Sequence, residues 1–410
     1  MSTLFTPAHE SEGPRLSLVG SEAVDRGVFD LRDYQDEDAD AVCSHWAAGR
    51  RCVLARQATG LGKSVCAAEL ARRKSKDGRV LILVDVGTLA EDLWKTASEH
   101  TGIVQGIYTG SKKIGWAQDA TCEIVAATIQ TLYAGETGEE NYRKYDPREW
   151  SAVIVDECES SLAERFREVV DYFLDGNPEL VMAGLTATPY RGDGRSMGDL
   201  FDVYPGPGTP GGVLNRDIFW GFREGWLVKP KQQFVRADID FSSLKVRKRK
   251  TCGCPRRCDC DREEDYSNKD IADLMLDDDE RRCREFAAAI HGMAKNEASI
   301  VICPTIEVAE RVAGYLDGSA GRDGYAMAVH GKQGGQQRDT IADYKAGEFP
   351  CIVSVSLLFK GFDADRVRWV FMLRPTKSRR MVEQAAGRGT RPLKSIRACL
   401  LYTSPSPRDS

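Results

Sequence analysis

Residues 57–64 read QATGLGKS, between an apolar stretch and a segment, SVCAAELARR, with helical patterning. Closely spaced glycines let backbone amides wrap a phosphate chain, and a helix opening directly after them adds the positive end of its dipole. The run therefore demands a strand, a tight loop and a helix in that order, which is the front edge of a parallel sheet. Within it Thr59, Gly60 and Gly62 shape the loop, Lys63 reaches the β and γ phosphates, and the Ser64 hydroxyl ligates magnesium. Gln57 stands where the general pattern carries Gly or Ala.

A phosphate loop needs carboxylates to hold a metal and steer water. Residues 153–159, VIVDECE, supply an apolar strand ending in an acidic pair. Asp156 is placed to hold magnesium through water and Glu157 to polarise the attacking water. Around these motifs short β-rich runs alternate with amphipathic segments, at residues 79–86, 122–128, 151–157 and 180–188, and again at 299–304, 325–330, 351–356 and 368–373. That rhythm predicts parallel sheets covered by helices on both faces, and 410 residues leave room for two or three domains. Hydrophobic residues at 42% and charged residues at 29% give the balance of a soluble globular chain. Residues 1–30 lack the basic start and apolar stretch of a signal peptide, so a cytoplasmic location is expected, with a bacterial and a phage-infected cell both open. A net charge of -5 excludes a coat of positive charge but not a local basic track. Thirteen cysteines, mostly scattered, read as reduced buried thiols.

The sequence of Asp156, Glu157, Cys158 and Glu159 resembles the DEAD/DEAH box, with Glu159 departing from its Asp or His. Residues 184–189, GLTATP, resemble the helicase motif that links hydrolysis to domain movement, through Thr186 and Thr188, and the continuation YRGDG is similar to the restriction and DNA-repair branch of helicase superfamily 2. Upstream, LRDYQ resembles the segment whose glutamine, here Gln35, reads the adenine edge. Residues 128–131, TIQT, resemble the loop that grips a nucleic-acid backbone, through Thr128 and Gln130, whereas VDVGTL at 84–89 lacks the basic residue common in the family. In the second half, QAAGRGTR at 384–391 resembles helicase motif VI; Gln384, Arg388 and Arg391 would face the γ phosphate across the cleft, the two arginines being neighbours on one helical turn. SVSLLFKGFD resembles motif V, with Gly361 and Asp363 joining nucleotide to strand, and ICPT, His330 with Gly331, and RPTKS at 374–378 keep the order of this branch.

The resemblance implies two tandem RecA-like α/β domains, an ATP-binding one over residues 30–230 and a C-terminal one over 271–398, behind a flexible tail at 1–29. It implies ATP and Mg2+ as cofactors and nucleic acid as partner, DNA over RNA, with further subunits of a repair, replication or restriction complex open. The leading expectation is an ATP-dependent DNA helicase or translocase. The alternatives are a restriction motor moving on duplex, a P-loop ATPase or kinase acting on a small molecule, and a binding scaffold without turnover.

Two segments stand apart. The linker at 231–270 carries TCGCPRRCDC, where Cys252, Cys254, Cys258 and Cys260 suit zinc, a metal-free redox-labile loop, or pairing with another chain. The adjacent KVRKRK could touch phosphates. Residues 399–410, CLLYTSPSPRDS, resemble the translated end of a sequencing adapter, and are expected to lie outside the fold; a natural Ser/Pro tail is the alternative.

Overall fold

The structure, a computed structural model, describes residues 30–402 apart from 86, 102–104, 110–112, 115–121, 137, 159–163, 190–196, 206–209, 234–243, 245, 249–263, 334, 356–365, 377–380, 383–384, 386 and 388–398. The first half runs α1 (Asp33–Ala47), β1 (Cys52–Gln57), α2 (Lys63–Lys74), β2 (Arg79–Val84), α3 (Gly87–Thr101), β3 (Gln105–Tyr108), β4 (Lys113–Ile114), β5 (Ile124–Thr128), α4 (Ile129–Tyr133), β6 (Trp150–Asp156), α5 (Glu164–Gly176), β7 (Val181–Thr186), β8 (Asn215–Arg216) and α6 (Ile218–Arg223). Its eight strands form one sheet in the order β4-β3-β5-β2-β6-β7-β1-β8. The pairs are parallel except β3 with β4. Strands β1, β2, β5 and β7 are buried along their whole length. That is why they read as continuous apolar runs and not as alternating ones: helices cover both faces.

The second half contributes β9 (Lys231–Gln233), a hairpin of β10 (Val246–Lys248) and β11 (Glu264–Tyr266), α7 (Asn268–Leu276), α8 (Arg281–Ala294), β12 (Ser299–Ile302), α9 (Ile306–Ala320), β13 (Ala326–Val329), α10 (Gln336–Ala346), β14 (Cys351–Ser354), β15 (Trp369–Met372) and β16 (Cys399–Tyr402). Six of these strands make a second parallel sheet, β13-β14-β12-β15-β16-β9. Two tandem parallel-sheet α/β units, as expected, are the result.

The linker and the last residues depart from the sequence reading. Lys231–Gln233, assigned to the linker, forms the edge strand of the second sheet. Cys399–Tyr402, expected outside the fold, pairs in parallel with β15 and β9, Val370 aligning with Leu400. The physical reason is legible afterwards: CLLY is a short apolar run of strand length, which an open sheet edge accepts on its own composition. The hairpin β10–β11 brackets the cysteine-rich segment, whose four cysteines lie outside the described residues.

One apolar cluster joins the halves. Tyr34, Ala58 and Leu61 from the first meet Ile300, Ile352 and Met372 of the second sheet, with Ala385 fully buried among them. Among the described residues, no helix is long and apolar enough to cross a membrane.

Candidate nucleotide site

Strands β6, β7 and β1 are neighbours, and their C-terminal ends deliver the three first-half motifs to one edge of the sheet, the position where open parallel sheets bind ligands. Asp156 aligns with Leu185, and Arg56 aligns with Thr186. The acidic pair, the coupling loop and the phosphate loop are thus side by side.

The loop between β1 and α2 turns on glycines. Gly60 and Gly62 adopt φ of 93° and 83°, the left-handed region that side chains resist. A Cβ at Gly62 would lie 2.5 Å from Nε2 of Gln35, so this glycine answers to packing as well as to backbone angle. Lys63 opens α2, and its Nζ lies 3.4 Å from Oε1 of Glu157. Ser64 comes next, on the first turn of the same helix. Glu157 itself sits at φ 51°, a conformation that costs a non-glycine residue on the order of 1 kcal/mol. The bend turns its carboxylate from the sheet toward Lys63. Its backbone N–H donates to Oδ1 of Asp156 at 2.9 Å. Burial first, and then the neighbouring Glu157 charge, push the Asp156 carboxyl up to about 7 against the partial relief that Lys63 gives. Two buried carboxylates face Lys63, and a divalent cation held there would add positive charge beside them. Among the described residues, no group of three or more His, Cys, Asp or Glu side chains forms a metal cage. Magnesium needs only one or two protein oxygens and completes its shell with water and phosphate.

In the coupling loop the Thr186 hydroxyl donates to the Thr188 carbonyl at 3.1 Å and accepts the Thr188 N–H at 3.0 Å. Both polar functions of Thr186 close the turn. Gly184 upstream is required by packing, since a Cβ there would meet Phe201 at 2.4 Å.

Gln35 lies against the loop, but its amide is engaged by protein. Its oxygen accepts the Arg32 N–H at 3.0 Å, while Nε2 donates to the Leu61 carbonyl at 3.0 Å. Tyr34 donates to the same carbonyl at 2.6 Å. Residues of α1 therefore clamp the phosphate loop from behind. Thr128, expected to touch a nucleic-acid backbone, is buried, and its oxygen caps α4 by accepting the Thr131 N–H. Gln130 is exposed and donates to Asp85 at 3.1 Å.

From the second half, Gly387 of QAAGRGTR is seated on the phosphate loop: a Cβ there would fall 2.4 Å from Cβ of Thr59. Gln384, Arg388, Arg391, Gly361, Asp363 and Glu159 lie outside the described residues, as do Cys252, Cys254, Cys258 and Cys260.

Three groups escaped the sequence reading. Asp38 is fully buried and accepts from Gln57 Nε2 at 2.9 Å, the Leu214 N–H at 2.9 Å and Arg216 Nε at 3.1 Å. This explains Gln57: its side chain ties β1 to α1. The signal was available, because Tyr34, Asp38, Val42 and Trp46 recur every fourth residue along one helix face. Arg56 and Arg216, the other two, lie in short strands where no motif marks them.

Comparison with known proteins accords with this geometry. Residues 28–191 match the family model of the type III restriction enzyme res subunit, and residues 283–392 match the helicase conserved C-terminal domain. The chain carries these two domain models in tandem, the arrangement of a superfamily 2 helicase. The first model points to the restriction-like branch. Over 378 residues the chain is 24% identical to "Putative ATP-dependent helicase IRC3" of Saccharomyces cerevisiae, covering 88% of this chain and 49% of that protein. It thus spans about half the length of that curated relative. Among solved structures, the DNA-bound type ISP restriction-modification enzyme LlaBIII superposes with a TM-score of 0.62 at 17% identity, over 92% of this chain and 28% of the enzyme. Dbp5 of S. cerevisiae, bound to RNA and ADP BeF3, superposes at 0.58 and 13% identity, over 91% and 88%. These structures share the tandem RecA-like fold.

Proposed function

We propose that the chain is an ATP-driven motor that couples hydrolysis in the cleft between its two α/β domains to movement along DNA. The observation that carries the reading is Gly387 against Thr59. A segment of the second domain lies on the phosphate loop of the first, so a change at the nucleotide can alter the seating of one domain on the other. Residues 30–230 are then the ATP-binding domain and 271–398 its partner.

In this reading Lys63 and the loop amides hold the β and γ phosphates, Ser64 and Asp156 hold magnesium, and Glu157 orients the attacking water. The metal, when bound, neutralises charge on the transferring phosphoryl group. Gln384, Arg388 and Arg391 complete the site from the far side, and Thr186 with Thr188 pass the change on. Gln35 contributes by holding the loop that Leu61 and Gly62 belong to, and turns to an adenine edge only on releasing those contacts. Gly361 and Asp363 join the nucleotide to the strand track. DNA is favoured over RNA by the restriction-enzyme model over residues 28–191. The same match favours, as a second reading, a motor that tracks duplex without separating it.

The test is ATP hydrolysis by the full chain with single-stranded DNA, duplex DNA and RNA, and then strand displacement. DNA stimulation with displacement supports the helicase, and stimulation by duplex without displacement supports the duplex translocase. Hydrolysis indifferent to all three nucleic acids would contradict both and favour a small-molecule enzyme.

A further inference from the structure

A buried cation lies between the phosphate loop and the coupling loop, in none of the family motifs. Arg56 is the residue before Gln57 on β1 and is 4% exposed. Its Nε donates to the carbonyl of Ala187 at 3.2 Å, inside the turn that Thr186 and Thr188 close. On the other side its Nη1 lies 3.6 Å from Oδ2 of Asp217. The second oxygen of Asp217 caps α6 by accepting the Trp220 N–H at 2.7 Å. Helix α6 carries Ile218 and Trp220 into the apolar cluster that contains Ile300, Ile352 and Met372 of the second sheet. One guanidinium therefore touches the loop that responds to nucleotide and the cap of a helix packed toward the other domain, while its own strand runs into the phosphate loop.

Buried charges are costly unless paired, and an apolar side chain could fill this space without that cost. The pairing is also specific in shape. A planar fork holds the Ala187 carbonyl and Asp217 at a fixed separation, so a shift of the one must either move the other or break a contact. We propose that Arg56 is a positioning residue that transmits movement of the coupling loop to α6 and so to the second domain, keeping hydrolysis and domain motion linked. The proposal rests on the motor reading above, and deepens it.

The experiment uses the full chain and the variants Arg56→Gln, Arg56→Lys and Asp217→Asn. Asparagine caps a helix as well as aspartate, so Asp217→Asn removes the ion pair and keeps α6. The readouts are KM and kcat for ATP with and without DNA, triplex displaced from DNA per ATP consumed, and melting temperature. Loss of one hydrogen bond from a charged donor predicts that Arg56→Gln lowers displacement per ATP about tenfold while KM stays within about twofold. Asp217→Asn is expected to fall in the same direction, and Arg56→Lys to recover part of the loss. Wild-type displacement per ATP in both Arg56→Gln and Asp217→Asn overturns the proposal. So does a rise in KM together with a fall in kcat and melting temperature that Arg56→Lys does not relieve, since that pattern marks a purely structural arginine. The wild-type arm separates the two claims: if DNA does not stimulate the parent chain, the motor reading fails and this inference falls with it, whereas stimulated parent and unchanged variants refute the inference alone.

Discussion

Replacing Gly387 with alanine probes a close contact between the domains. The new Cβ would stand 2.4 Å from Cβ, 3.0 Å from Cγ2 and 3.1 Å from Oγ1 of Thr59. Ordinary carbon contacts lie beyond 3.4 Å, so the second-domain segment must retreat by about 1 Å or the phosphate loop must deform. Overpacking of this kind costs about 1–3 kcal/mol. Charged to the closing of the cleft, that is a loss of about 5- to 150-fold in the closed population. Where the second-domain segment is the one that retreats, the first domain's own nucleotide contacts are left in place. A fluorescent nucleotide should therefore bind Gly387→Ala within about twofold of the parent, while kcat falls by about tenfold or more. Energy transfer between dyes on α1 and α9 should report the opened cleft. Unchanged energy transfer together with unchanged kcat would mean that the cleft does not close through Thr59 and Gly387 during turnover.

The same geometry sets further outcomes. Asp156 has a folded-state pKa pushed up to about 7, above the usual carboxylate range, so its protonated form is the one folding favours. That contribution is complete below about pH 4 and is lost as pH rises through 7, and Asp156→Asn should therefore melt higher than the parent at pH 8, with the difference closing toward pH 4. Glu157→Gln should lower kcat by about 10²–10⁴-fold with little change in nucleotide affinity, as measured by turnover and equilibrium binding. Asp38→Ala strips partners from buried Arg216 and Gln57, and chemical denaturation should show a loss of about 3–5 kcal/mol. A loss under about 1 kcal/mol there would mean water or rearrangement replaces the network.

What the sequence disclosed, and what it hid, divides along physical lines. The phosphate loop, the acidic pair and the coupling turn were legible because each needs particular residue types at fixed spacing. Glycines must stand at positive φ, and carboxylates must sit at the end of a buried strand. The fold class was legible because strands covered on both faces are apolar throughout. The left-handed Glu157 was not, since its backbone is set by the demand to aim at Lys63 and nothing in VIVDECE announces it. Nor was the capping role of Thr128, because a threonine before a helix reads equally as a cap or as a surface hydroxyl. Gln57 looked like a departure from the phosphate-loop pattern until Asp38, nineteen positions earlier, appeared beneath it. Contacts of that range are fixed by packing and leave only a weak periodic trace, here the four-residue recurrence along α1. CLLY misled because it was read together with the Ser- and Pro-rich residues 403–410, whose composition is foreign to a sheet, although the four apolar residues suit one.

The most direct test of the two-domain motor is ATP hydrolysis with and without single-stranded and duplex DNA, in the parent chain and in Lys63→Ala and Arg388→Ala. A two-domain motor predicts stimulation by DNA that both substitutions abolish, one in each domain. Hydrolysis that ignores DNA and survives Arg388→Ala would contradict it.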